Sequence, residues 1–184
     1  MARYRRSYIP GGTFFFTVVT YNRKPILVTE FSRQYLKDAW NTITQKYPFD
    51  LVACCLMPNH LHCIWTMPEN DFDYSIRWRG IKGLFSRQYQ RHINPKIQST
   101  ESYKKKREAA IWQRRFWEHT IFSQDDFNCP VDYIHCNPVK HGFVRNPIDW
   151  PWSTFHRYTK MGIYEKDWGV CEPLHLKEME TTGE

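Results

Sequence analysis

The stretch from residue 51 to residue 67 constrains the fold more than any other. Residues 51–57 (LVACCLM) are apolar throughout and few, which suits a strand buried on both faces. Residues 60–67 (HLHCIWTM) are a second strand-like run, and only Pro58-Asn59 separates the two. So short a turn joins antiparallel neighbours, since a parallel pair needs a crossover of about a dozen residues. The rest of the chain is read outward from this hairpin.

Upstream, Gly11-Gly12 precedes residues 13–21, rich in Phe, Thr, Val and Tyr, a strand composition. Phe31, Tyr35, Ala39, Ile43 and Tyr47 recur every four residues, so residues 32–46 are predicted to be an amphipathic helix, ended by Pro48. Downstream, Tyr74, Trp78, Ile81, Phe85 and Tyr89 mark one stripe of a second helix reaching about Ile93, where Asn94-Pro95 stops it. Residues 96–107 are polar, Lys-rich and without period, and read as a loop. Residues 112–122 read as a fourth strand. Residues 125–137 read as a third helix that opens on Asp125 and Asp126 and is limited by Pro138. Strand, helix, strand, strand, helix, strand is the order of a ferredoxin-like α+β domain. The expectation is one antiparallel four-stranded sheet with helices on one face and a further C-terminal helix at the functional end. Residues 1–164 are expected to be one domain and residues 165–184 an acidic, partly flexible tail.

Charge narrows the partner. The net charge is +7, yet residues 77–115 hold twelve Lys/Arg against Glu101 and Glu108. One segment therefore carries nearly all the positive charge, the footprint of a polyanion partner such as nucleic acid. The blander alternative is a solvated helix face followed by a charged loop. No run of 18 apolar residues is present and no signal-type apolar segment follows the basic start, so a cytoplasmic location with no membrane partner is expected. The six cysteines form no C-x-x-C pair, which argues against a disulfide framework and a structural zinc site.

Two groups carry chemistry. On a strand, His60 and His62 share a face with Leu61 opposite, and two such imidazoles can grip one divalent ion. An isolated H-x-H is short, and the plainer reading is two histidines that hold nothing. The hairpin entrance at Met57-Pro58-Asn59 favours the ion. On a helix, Tyr133 and Asn137 are one turn apart and project together. The Asn137 amide oxygen is then a candidate third ligand and Tyr133 a candidate nucleophile, a phenol that needs help because its ordinary pKa is near 10. Taken alone, the plainer reading is Tyr133 as a core aromatic and Asn137, before a proline, as a helix C-cap. Arg77, Arg79, Lys82, Arg87 and Arg91 on the second helix, Arg114 and Arg115 before the fourth strand, and Lys140 beyond Asn137 are candidate phosphate contacts. Trp78, Tyr89, Trp112 and Phe116 are candidates for stacking on unpaired bases, with core packing the simpler reading for Trp78. His119 and His135 lie nearby in sequence without an assigned role.

These residues resemble a known family. His60-Leu61-His62 matches the signature of HUH nucleases, and Tyr133 with an amide four residues on matches the helix of their single-tyrosine transposases. The resemblance is closer still to the REP-associated tyrosine transposases, through GGTFFFTV, MPNHLHCIW, WQRRFWEHTI, DYIHCNPVKHGFV and DWPWSTFHRY, which run in order from about Arg5 to Trp168. Glutamine is common at the position of Asn137 in the wider group, and asparagine is shorter by a methylene. The resemblance implies that His60, His62 and Asn137 hold Mg²⁺ or Mn²⁺ and that Tyr133 attacks a DNA phosphate. The products would be a 5′-phosphotyrosine link and a free 3′-OH, with rejoining that needs no nucleotide cofactor. It implies a substrate of single-stranded repetitive palindromes, recognised as a hairpin with a short flanking sequence. The alternatives are a non-catalytic hairpin-binding protein with a vestigial metal site, and a phosphodiesterase that activates water. Monomer and dimer both stay open.

Overall fold

The structure is a computed structural model that describes residues 7–93 and 110–169. Gly11 bends the chain into the first strand at φ 68°, a left-handed conformation that glycine adopts freely, and its N–H donates to the carbonyls of Pro68 and Asp71. The elements follow as β1 (Thr13–Val19), α1 (Glu30–Lys46), β2 (Asp50–Leu56), β3 (His60–Thr66), α2 (Tyr74–Ile93), β4 (Trp117–Ile121), α3 (Gln124–Lys140) and α4 (Phe155–Lys160). The strands form one antiparallel sheet in the order β2-β3-β1-β4. This is the expected four-stranded α+β arrangement.

Strand periodicity divides the core in two. Phe14, Phe16 and Val18 of β1, with Leu61, Cys63 and Trp65 of β3, face α1 and α2. There Trp65 stacks on Trp78 at 4.3 Å between ring centroids. Gly80 lets α2 press on α1, since a Cβ at this position would lie 2.5 Å from Ile43 Cδ1. Phe15, Ala53, Cys55 and Ile64 face the other way, onto Val131, Ile134 and Cys136 of α3 and onto Phe155 and Tyr158 of α4. The third helix therefore covers the sheet face opposite α1 and α2.

Three sequence expectations are corrected. The doubly buried strand is β3, buried from His60 to Trp65, whereas β2 is an edge strand whose Leu51, Val52, Cys54 and Leu56 are only partly covered. Its apolar run is explained by a strap on its outer edge: Leu56 N–H donates to Trp152 O at 2.9 Å and Thr154 N–H to Cys54 O at 2.8 Å. The strap occupies backbone groups that an open edge would expose. The fourth strand is shorter than residues 112–122, because Gln113, Arg114 and Arg115 leave the sheet as an exposed excursion after the single bridge from Trp112 to Thr20. Helix α3 runs through Pro138 rather than ending before it, and its C-cap is His141, whose N–H bonds the Asn137 carbonyl. Pro138 lacks an N–H but sits in the last turn and is buried with Asn137, so packing offsets the single lost bond. Asn137 is thus no helix cap.

Past residue 164, Trp168 stacks on Tyr164 at 4.2 Å and on Phe155 at 5.9 Å, so packing continues into the segment expected to be tail. The basic loop at residues 96–107 and most of the acidic tail lie outside the described residues.

Candidate active site

The site lies where β3 begins, beneath α3. In the sheet, His60 pairs with Val19 and His62 with Thr17, which puts both imidazoles on the α3 side. His62 Nδ1 is 2.9 Å from Thr17 Oγ1. His60 Nδ1 is 2.6 Å from Asn59 Oδ1, and the tautomer with its proton on Nδ1 makes Nε2 the acceptor atom of the ring. The rings are 4.8 Å apart between centroids. Two imidazoles sharing one ion through bonds of about 2.1 Å stand at roughly this separation.

Helix α3 brings the remaining groups. Asn137 Oδ1 lies 3.4 Å from His60 Nε2, and the amide is fully buried with no hydrogen-bond partner on Nδ2. In that tautomer two acceptor atoms face each other at this distance, an arrangement that a cation between them would satisfy. Without one, turning the amide so that Nδ2–H donates to the ring satisfies them instead. The donor set of two imidazoles and one amide oxygen therefore fits a divalent ion. Among the described residues no three His, Cys, Asp or Glu side chains form a competing cluster. Tyr133, 5% exposed, sits one turn before Asn137, with its ring 5.3 Å from His62 and 6.1 Å from Phe15. Lys140 Nζ lies 4.9 Å from the centre of that ring, a cation beside the phenol.

The rotation of α3 is set on its other side. His135 is fully buried, with Nε2 2.9 Å from Thr154 Oγ1 and Nδ1 3.3 Å from the Tyr164 hydroxyl, which donates to Asp132. Burial pushes the His135 pKa down to about 3, so it stays neutral and acts as a strut away from the site. His119 is also elsewhere, on the edge strand, 2.7 Å from Asp126. Sequence reasoning passed over His141. Its ring is 5.4 Å from that of His60, and its place one turn beyond Asn137 and two beyond Tyr133 was the signal available.

The basic candidates divide. Arg77 is no phosphate contact: it is fully buried and donates to the carbonyls of Tyr47, Pro48 and Asp73 and to Asp71 Oδ2 at 2.7 Å. Its guanidinium holds the Asp71 pKa down. Arg79, Arg87 and Arg91 are exposed, but on α2, across the sheet from the histidine pair. Lys82 donates to Gln113 O, which fixes the root of the excursion that exposes Arg114 and Arg115. Only Lys140 reaches the site. The stacking candidates are core residues, with Trp78, Tyr89 and Trp112 buried and Phe116 packed against Trp78. A helix stripe that faces the sheet has no base-stacking surface left.

The domain is thus an α+β fold on an antiparallel four-stranded sheet, with a His pair, a buried amide and a tyrosine gathered under one helix. Residues 12–137 match the family model described as Transposase IS200 like. The chain is 45% identical over 168 residues to the REP-associated tyrosine transposase of Escherichia coli (strain K12), with 91% of each chain covered. It is 41% identical over 177 residues to a Haemophilus influenzae protein provisionally given the same name, covering 96% of this chain and 98% of that one. A solved structure of a REP-associated tyrosine transposase bound to a REP hairpin is 43% identical, with a TM-score of 0.77, and covers 95% of this chain and 96% of its own. The chain belongs to the IS200-like transposases and, within them, to the REP-associated tyrosine transposases. Among the described residues no helix is long and apolar enough to cross a membrane.

Proposed function

We propose that this transposase cuts and rejoins single-stranded DNA beside a palindromic hairpin, with Tyr133 as the nucleophile. The observation that carries the reading is the convergence of Tyr133, Asn137, His60 and His62 from a helix and a strand far apart in sequence. A packing role for Tyr133 does not call for a neighbouring His pair and an inward amide. The hairpin enters by analogy with the relative whose structure holds a REP hairpin.

In the proposed reaction the Tyr133 oxygen attacks phosphorus and loses its proton, while the bond from phosphorus to the 3′-oxygen breaks. The 3′-oxygen takes up a proton and leaves as a hydroxyl, and the 5′-phosphate stays esterified to Tyr133. Reversal by a 3′-OH restores the strand, and because the ester conserves the bond no nucleotide cofactor is consumed. His60, His62 and Asn137 would hold a divalent ion, which supplies neutralisation of the phosphate charge. Of Mg²⁺ and Mn²⁺, the imidazole-rich donor set suits Mn²⁺ better. Lys140 stabilises negative charge on the phenol and the phosphate alike. His135 and its partners hold α3 so that the phenol stays in line. Arg114 and Arg115 supply further phosphate contacts at the exposed excursion, and Arg79, Arg87 and Arg91 could meet only DNA that wraps around the domain.

The test is incubation with single-stranded palindromic DNA and Mn²⁺ followed by a denaturing gel. A covalent protein–DNA adduct mapping to Tyr133 supports the reading. Tight hairpin binding with neither adduct nor cleavage favours the non-catalytic alternative, and cleavage without an adduct favours water as nucleophile.

A further inference from the structure

The two histidines are steadied in different ways. His62 is held from within the domain. Its Nδ1 is 2.9 Å from Thr17 Oγ1 on the neighbouring strand, and its ring packs on those of Phe15 at 5.6 Å and Tyr133 at 5.3 Å. His60 opens β3, and its ring neighbours include His62 at 4.8 Å and the exposed His141 at 5.4 Å. Its Nδ1 lies 2.6 Å from the side-chain oxygen of Asn59, the residue immediately before it.

Asn59 is itself anchored. The Thr20 N–H donates to the Asn59 carbonyl at 2.9 Å, and the Thr20 hydroxyl stands 2.9 Å from the same oxygen. The Leu27 N–H donates to the Pro58 carbonyl at 2.9 Å, and the Met57 N–H closes the hairpin on the His60 carbonyl at 2.9 Å. The loop after β1 therefore grips both residues of the turn, and the side-chain rotation of Asn59 is the main freedom left. The Asn59 backbone lies outside the left-handed region, so the turn does not call for asparagine by its conformation. The neighbouring imidazole does call for an acceptor. A neutral histidine ligates an ion through one nitrogen while the other keeps the proton, and the partner of that second nitrogen selects the tautomer and holds the ring.

We infer that Asn59 is a positioning residue of the metal site: its carboxamide oxygen keeps the His60 proton on Nδ1 and turns Nε2 toward Asn137. The inference rests on the proposed ligand set and extends it to a residue that is not itself a ligand. Thr17 does the corresponding work for His62 from β1, so the site draws its outer support from two places, a strand and a turn. The turn is the more separable of the two, because a change at Asn59 leaves the sheet register and the packing around His62 in place.

The experiment uses the full-length protein labelled with nitrogen-15 and free of metal, at about pH 8, above the ordinary imidazole pKa. Long-range proton–nitrogen correlation spectra distinguish the two histidine tautomers. In the wild type His60 should carry its proton on Nδ1. In Asn59→Ala, checked for native thermal unfolding, His60 should shift toward the Nε2–H form while His62 stays as it was, a contrast that general loosening of the fold would not give. By calorimetry Asn59→Ala should lose about 10–100-fold in Mn²⁺ affinity, and Asn59→Asp, which restores an acceptor, should bind Mn²⁺ at least as tightly as the wild type. The tautomer of the wild type is read on the unaltered protein, so it decides the matter if Asn59→Ala fails to fold. A wild-type His60 protonated on Nε2 overturns the inference, and so does a folded Asn59→Ala protein with wild-type Mn²⁺ affinity. Equal losses in the Ala and Asp variants also overturn it, since the turn and not the acceptor would then matter. In these cases the ligand set of the proposed function stands. Failure of the wild type to bind Mn²⁺ at all removes that ligand set and this inference together.

Discussion

Arg77 decides whether the basic segment was read correctly, and Arg77→Met tests it. Methionine keeps most of the aliphatic stem and deletes the guanidinium. That strands the carbonyls of Tyr47, Pro48 and Asp73 and leaves the Asp71 carboxylate without its cation. Losing one member of a buried pair costs about 3–5 kcal/mol, and each orphaned buried acceptor about 1–3. Asp71 is 37% exposed at its side chain and can regain water, which pulls the total to the lower end, about 3 kcal/mol. With a urea slope of about 2 kcal/mol/M this moves the unfolding midpoint down by roughly 1.5 M. Urea denaturation followed by tryptophan fluorescence measures it. Asp71→Asn, on the hydrated side of the pair, should cost about 1 kcal/mol or less. In the folded fraction of Arg77→Met the salt dependence of DNA binding should match wild type. An unshifted midpoint, combined with a log–log salt slope lower by about 0.7–0.9, would put Arg77 on the phosphate backbone and refute the buried-strut argument.

Replacing Tyr133 with Phe should leave fold and DNA affinity intact while the covalent adduct disappears; an adduct at full yield would remove Tyr133 from the chemistry. His60→Ala and His62→Ala should each abolish cleavage, retain most DNA binding and lose Mn²⁺ binding by calorimetry, and wild-type Mn²⁺ affinity in either would discard the ligand assignment. Neutralising Arg114 and Arg115 together should lower the salt slope of DNA binding by about 1.4 for a single strand, and an unchanged slope would exclude the excursion from the interface. His135 binds its proton near pH 6.5 when unfolded but only at about 3 when folded, so the unfolded state takes up more protons as pH falls through that window. Stability should drop by about 2 kcal/mol between pH 7.5 and pH 5 through this residue, a loss absent from the pH profile of His135→Gln; an identical acid profile in that variant would show that His135 is not held neutral.

Much of this protein was determined locally. Apolar stripes spaced three and four residues apart made α1 and α2 legible, because helix geometry repeats whatever the surroundings. The two-residue Pro58-Asn59 turn dictated an antiparallel hairpin, and strand alternation placed His60 and His62 on one face before any partner was known. The spacing of Tyr133 and Asn137 likewise put them on one side of α3. What no local pattern could decide was which groups meet. The same apolar run that suggested a doubly buried strand belongs to an edge, because a strap a hundred residues later covers it. Arg77 and Arg87 look alike in a basic segment. One faces a ring of carbonyls beneath α1 and the other faces solvent, a difference of helix rotation against a neighbour remote in sequence. The 3.4 Å approach of Asn137 to His60, and with it the whole site, exists only because α3 docks on the sheet face that α1 and α2 leave open, held there by His135, Thr154 and Tyr164. Burial and hydrogen-bond satisfaction act through space, so they are properties of the packed molecule and not of any stretch of chain.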